Sequence, residues 1–196
     1  CKGNVTVNTN GTGIGTLNLV GFSETINGLN GTGTITSSAG TPVLTIGENN
    51  AVSSHTGIIT GSLSLVKNGT GSLTLGGAAA STYTGTTILN GGTVTAGKGS
   101  AFGAAGATSG TTINAGVSLN TNSQNFGAER FTLAGGTMKN EGASDQINTT
   151  QRLDVIADSL IGGLKRLDVR GGAIGGRGGG DGAAIGATAG GAGGVS

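Results

Sequence analysis

The 196-residue chain contains no tryptophan, and only one each of cysteine, histidine, proline, tyrosine and methionine; 10% of its residues carry charge. Each scarcity narrows the field. Cys1 has no second cysteine to pair with, so no internal disulfide exists. His55 stands alone, with no cysteine or second histidine at ligand spacing, which argues against a zinc set. A Ser–His–Asp hydrolase would have to use that one histidine, and no Gly-x-Ser-x-Gly turn accompanies it. The net charge of +1 gives no electrostatic basis for nucleic acid or an anionic membrane surface. No apolar run approaches the roughly 18 residues of a membrane-spanning helix, and no signal-peptide pattern opens the chain.

What the chain has instead is glycine, 44 residues of it, about three times the roughly 7% of an average protein. Glycine and threonine are poor helix formers, so helix is disfavoured almost throughout. Disorder is disfavoured too, because mean hydropathy is slightly positive and aliphatic residues recur in short runs. The clearest unit is the stretch from Leu65 to Gly97. It holds three strand-like runs, Ser72–Leu75, Thr86–Leu89 and Thr93–Ala96, separated by Asn68-Gly69, Gly76-Gly77 and Asn90-Gly91-Gly92. Such strands are too short and too thinly apolar for a thick sandwich core. A unit of this kind buries its apolar side by stacking on copies of itself.

Echoes of the unit run in both directions. Asn10–Leu19 parallels Asn68–Leu75 with two residues inserted, and Gly28–Thr36 parallels Asn90–Thr95. Pro42 precedes Val43–Ile46, a suitable place at a strand start. Gly110–Val117 echoes Gly85–Gly91. Strand-like runs recur about every 10 residues, too closely for βαβ units. Near residue 129 the composition changes: before it only Lys2, Glu24, Glu48, Lys67 and Lys98 are charged. Residues 1–128 therefore read as Gly/Thr/Asn-rich β-helix repeats. Residues 129–196 read as further, more charged coils with a Gly-rich end from 171 onward, a separate C-terminal domain being the alternative. In the second part Arg152-Leu153-Asp154-Val155 recurs as Arg166-Leu167-Asp168-Val169, with strands expected at Phe131–Leu133, Leu153–Ile156 and Leu167–Val169.

The run Lys67–Leu75, then Thr82–Thr87, then Asn90–Val94, with the lead-in Leu44–Asn50 and Thr56–Ile59, resembles the autotransporter-associated β-strand repeat of bacterial passenger regions. It departs from that pattern in the Ala-rich Gly76–Ala80 and in His55, which takes a place often held by an aromatic. The resemblance implies an all-β, right-handed parallel β-helix (β-solenoid), exported from a bacterium to its outer-membrane surface or the extracellular space. It implies no particular activity.

The remaining features are weighed one by one. His55 is expected as a polar residue on a loop or coil face. Gly175–Asp181 suggests the calcium nonapeptide, but its register fails and no tandem copy follows. Asp154 and Asp168, with Arg152 and Arg166, are expected to stack one coil apart, as a surface charge ladder or, alternatively, as the carboxylates of a polysaccharide-active enzyme. Asn4, Asn68 and Asn148 head Asn-x-Thr triplets, which read as turns. Phe22, Phe102, Phe126 and Phe131 read as core fillers at coil corners, and Tyr83 as a stacked structural residue. Cys1 is read as the place where the chain starts, the alternative being the lipid-bearing residue of a lipoprotein. Gly92 and Gly116, each ahead of a strand, are expected at φ > 0 or at a close approach of coils.

No catalytic, cofactor-binding or metal-binding residue is assigned, and the chain is read as a non-enzyme. The expected function is structural: a surface or extracellular stalk, adhesin-like or filament-forming. The rival is a polysaccharide lyase or hydrolase on the same fold. Neither end carries the Lys, Pro or charged helix of a cap, so either more protein flanks this segment or, if it is a complete subunit, the expected partner is the protein itself, head to tail; host-surface or matrix glycans are a second expected partner, and no nucleic acid is expected.

Overall fold

A computed structural model describes residues 2–104, 109–146 and 152–167, and the backbone of 174–176. Cys1, Asn148, Asp168 and Asp181 lie outside these residues. Every regular element described is a strand. The strands wind into a parallel β-helix of about seven turns.

Two eight-stranded parallel sheets run its length. The first stacks Val5–Thr6, Leu29–Gly31, Ser53–His55, Leu73–Leu75, Gly92–Ala96, Val117–Asn120, Thr137–Asn140 and Leu160–Gly163. The second stacks Glu24–Ile26, Val43–Ile46, Ser64–Lys67, Thr87–Leu89, Thr111–Asn114, Arg130–Ala134, Arg152–Ala157 and Ile174–Gly176. A third, three-stranded sheet of Thr16–Asn18, Thr34–Thr36 and Ile58–Ile59 closes only the early coils. Among the described residues, later coils have no strand in its place. The segment around Tyr83 prolongs its ladder: the Thr82 N–H donates to the Ile59 carbonyl (2.8 Å) and the Ala104 N–H to the Tyr83 carbonyl (2.9 Å). The first coil also bears an antiparallel hairpin, Thr9–Asn10 with Gly13–Ile14.

The three strands expected in the central unit are found at Leu73–Leu75, Thr87–Leu89 and Gly92–Ala96, each paired in parallel with a neighbouring coil. Alternation puts every second residue inside. The interior is consequently a set of columns. One is Leu73, Val94, Leu119 and Met138; another is Leu44, Leu65, Thr87, Thr111, Phe131 and Leu153; a third is Ile26, Ile46, Lys67, Leu89, Ile113 and Leu133. Each buried Leu or Ile contributes roughly 1.5–3 kcal/mol. The sole tyrosine fits because glycine faces it: a Cβ on Gly103 would press on the Tyr83 ring and carbonyl.

Sequence echoes and structural equivalence part company in three places. Asn10–Leu19 does not repeat Asn68–Leu75. Asn10 and Gly13 form the hairpin, and Leu17 pairs with Ile35 in the third sheet, whereas Leu73 lies in the first. Gly110–Ile113 matches Gly85–Ile88 residue for residue, yet the ladder sets Thr111 on Thr87 and Ile113 on Leu89, one position off. Arg166–Leu167 does not stack on Arg152–Leu153 either. The strand on Leu153 is Ile174–Gly176, and Leu167 makes an isolated bridge with Gln146. Across residue 129 the second sheet runs on without a break, Thr111 pairing with Phe131.

Candidate functional site

Among the described residues, no three His, Cys, Asp or Glu side chains gather as a metal site would need. The ionisable groups that stand out are instead inside the coils, in three places.

Lys67 occupies a position where the coils on either side have Ile46 and Leu89, and it is fully buried. Its ammonium turns into the corner and donates to the carbonyls of Asn68 (2.6 Å), Gly69 (3.0 Å) and Gly91 (3.4 Å). Burial holds its pKa below the ordinary lysine value. One side chain thus satisfies turn carbonyls of two successive coils. Outside it, amides form a ladder: Asn114 Nδ2 donates to Asn90 Oδ1 (2.7 Å), and Asn90 Nδ2 to Asn68 Oδ1 (2.8 Å).

His55 is not on a loop or an outer face. It lies on an inward position of Ser53–His55, 1% exposed, stacked on Leu75. Neither ring nitrogen has a hydrogen-bond partner. Lys98 lies close by and is buried, its Nζ donating to Gly57 O (2.9 Å) and Ala79 O (2.8 Å), so that it ties its own corner to those of two earlier coils. Desolvation pushes the His55 pKa down; contact with the backbone of Ile58 raises it and the Lys98 charge lowers it further. The histidine is a member of the core, where burial disfavours its charged form.

Glu129 is the third, 2% exposed. Thr111 Oγ1 donates to its Oε1 (2.8 Å). Burial lifts its carboxyl to about 7, the Thr111 bond opposing the shift. Beneath Thr111, Thr87 shares a 2.6 Å hydrogen bond with the Tyr83 hydroxyl, which desolvation keeps far above its usual pKa. Phe102, Phe126 and Phe131 form a cluster with centroids 5.2–5.8 Å apart, Phe131 standing edge-on to the other two. These three are the core fillers expected; Phe22 is not, being 72% exposed on the first coil. It follows a turn in which Phe22 N donates to Leu19 O (2.9 Å) and Val20 has φ 49°.

On the outside, Asp154 meets Arg152 (2.7 Å) and Arg130 (3.9 Å), its own coil and the one below. Asp154 thus links two coils by charge through Arg130 and Arg152; the expected stacking of Asp168 on Asp154 lies outside the described residues. Glu24 stands at the base of the Leu44–Leu65 column, an inward position, and is exposed. The first coil thus carries a charged residue of the kind that blunts a sheet edge, which the sequence reading had not placed there.

The sequence hides these buried groups because Lys and Glu are almost never fully buried unless paired, and His is intermediate. The one available signal was a charged residue at a period-2 core position, Lys67 after Leu65. Comparison with protein-family models, with curated proteins and with solved structures finds no match.

Proposed function

We propose that this chain is a structural segment of a bacterial passenger-type protein, a β-helical stalk at the outer-membrane surface or in the extracellular space, adhesin-like and joined end to end with another copy of itself. The resemblance carried by Lys67–Leu75, Thr82–Thr87 and Asn90–Val94 supports the bacterial and exported part of this reading. The observation that carries the assembly is the placement of exposed apolar side chains. Ile14, Val20 and Phe22 lie on the first coil and Ile156, Leu160 and Leu164 on the last described ones; among the described residues only Val52 falls between. The strands Val5–Thr6 and Thr16–Asn18 leave one edge unpaired at the same end, while the third edge strand there, Glu24–Ile26, carries the exposed Glu24. A head-to-tail joint with a second copy, or further coils of the same protein, would cover both; the joint between copies, being heterologous, would propagate into a filament. Outward columns such as Thr74 on Thr95 and Thr112 on Thr132 present hydroxyls suited to matrix glycans as a second partner.

Light scattering across a concentration series, with electron microscopy, tests the reading. The expected result is elongated assembly that grows with concentration and is suppressed in both Phe22→Asp and Leu164→Asp. A monomer at every concentration, or assembly indifferent to both substitutions, overturns it.

A further inference from the structure

The sequence holds five Asn-Gly pairs, at Asn10, Asn27, Asn30, Asn68 and Asn90. Asn-Gly is the dipeptide most open to spontaneous loss of the side-chain amide, because glycine has no side chain to shield its backbone nitrogen. We propose that the folded protein protects four of these pairs and leaves Asn10 as a site of succinimide formation and isoaspartate accumulation. In this reaction the Gly11 nitrogen gives up its proton and bonds to Asn10 Cγ. Ammonia leaves, and a five-membered imide remains. Water then opens the imide at either carbonyl, giving aspartate or isoaspartate. Water enters, ammonia departs, and no oxidant or enzyme is needed.

The step requires the Asn side chain to swing towards the next backbone nitrogen, and four of the five cannot do so freely. Asn27 donates through Nδ2 to Asn4 Oδ1 (2.8 Å), while its Oδ1 accepts from the N–H groups of Asn49 (2.9 Å) and Ala51 (3.2 Å). Asn30 lies within a strand, its Oδ1 accepting from the Ser54 N–H (3.0 Å). Asn68 and Asn90 are rungs of the amide ladder that ends on Asn114. The glycines that follow are crowded as well. A Cβ on Gly28 would meet Asn4 Oδ1, on Gly31 the Val7 carbonyl, on Gly69 the Gly47 carbonyl and on Gly91 the Gly69 carbonyl. Each hydrogen bond that must break before attack slows the step, and two or more amount to roughly a tenfold reduction or greater.

Asn10 has none of these restraints. It sits at the turn of the antiparallel hairpin, opposite Gly13, and is exposed. Its side chain makes no hydrogen bond among the described residues. Gly11, at φ +59° as the first central residue, fits a type II′ turn, and nothing lies within 4 Å of where its Cβ would be. Both reacting groups therefore have room to move. The product places a new carboxylate on the first coil and, as isoaspartate, adds a methylene to the hairpin backbone.

The experiment incubates the folded protein at mildly alkaline pH, digests it with pepsin in acid, and follows each Asn-Gly peptide by mass spectrometry. Methyl transfer by a protein-isoaspartate methyltransferase reports the isomer. Conversion at Asn10 is expected to outrun that at each of the other four, by roughly tenfold or more at Asn27 and Asn90, whose side chains make two or more hydrogen bonds, and the same protein held in urea should convert all five at similar rates. Asn10→Gln should remove the acidic species seen on isoelectric focusing. Conversion at Asn10 no faster than at Asn68 or Asn90 in the folded protein, or an acidic species that persists in Asn10→Gln, overturns the proposal.

Discussion

Gly92 and Gly116 offer a direct test of how these coils are held together, since they share a backbone conformation and differ in their surroundings. Both have positive φ, 75° and 83°. An alanine placed at either must adopt the left-handed region, at about 1–2 kcal/mol. At Gly116 nothing further happens, because no atom lies within 4 Å of the added Cβ. At Gly92 the Cβ would lie 2.4 Å from the Gly71 carbonyl oxygen and 2.7 Å from that of Thr70, both backbone atoms of the coil beneath. Those carbonyls must retreat by several tenths of an ångström to about 1 Å to reach ordinary contact. They lead into Leu73–Leu75, which pairs on both sides, so retreat weakens ladder hydrogen bonds worth about 1 kcal/mol each. Two such bonds bring Gly92→Ala to about 3–4 kcal/mol, against about 1–2 kcal/mol for Gly116→Ala. In a chain of this size each kcal/mol lowers Tm by about 2–4 °C, so the expected losses are about 10 °C and about 4 °C. Urea and thermal unfolding followed by circular dichroism measure both. Equal losses, or a larger one at Gly116, would refute the claim that close approach of stacked turns is what demands glycine at residue 92.

Two buried groups should give stability slopes of opposite sign. Glu129 has its pKa raised from 4.5 to about 7, so its contribution is full below about 4.5 and is lost as pH rises through 7, up to about 3 kcal/mol in all. His55 has its pKa lowered from 6.5 by burial, so its contribution is present above 6.5 and is lost as pH falls towards the depressed value. In Glu129→Gln, melting temperature should fall as pH drops below 6.5, with the alkaline loss gone. In His55→Phe it should rise as pH drops from 7 to 4.5, and stability at neutral pH should increase because two unpartnered buried nitrogens are removed. Unchanged pH profiles in the two variants would contradict the assignment of both groups to the interior.

The strands of this fold were legible in the sequence and their register was not. Alternating runs such as Leu73-Thr74-Leu75 announce a strand with one buried face, whatever surrounds them. Which coil position they occupy depends on loop length, and that varies: Met138 follows Leu119 by 19 residues, while Leu119 follows Val94 by 25. A match of like residues, such as Gly85–Ile88 with Gly110–Ile113, ignores the count. A one-residue error exchanges the inner face for the outer. The interior polar groups were hidden for a different reason. Lys67 can be buried only because turn carbonyls converge on its ammonium, and Lys98 only because Gly57 and Ala79 from other coils do the same. No local pattern records that convergence. The exposed Phe22 was misjudged for the opposite reason, since a lone aromatic in a chain poor in aromatics reads as core.

The parallel stacking also determines how the molecule answers a pull. Its strands lie across the long axis, so the bonds between coils point along it. Tension applied through the two ends loads one rung at a time, and a coil peels away before its neighbour feels the full force. Each peeled coil frees some 19 to 25 residues, about 65–85 Å of chain at 3.3–3.6 Å per residue. A chain wound this way should lengthen in steps under tension and rewind when the load falls, because every freed strand still has its template in the coil behind it.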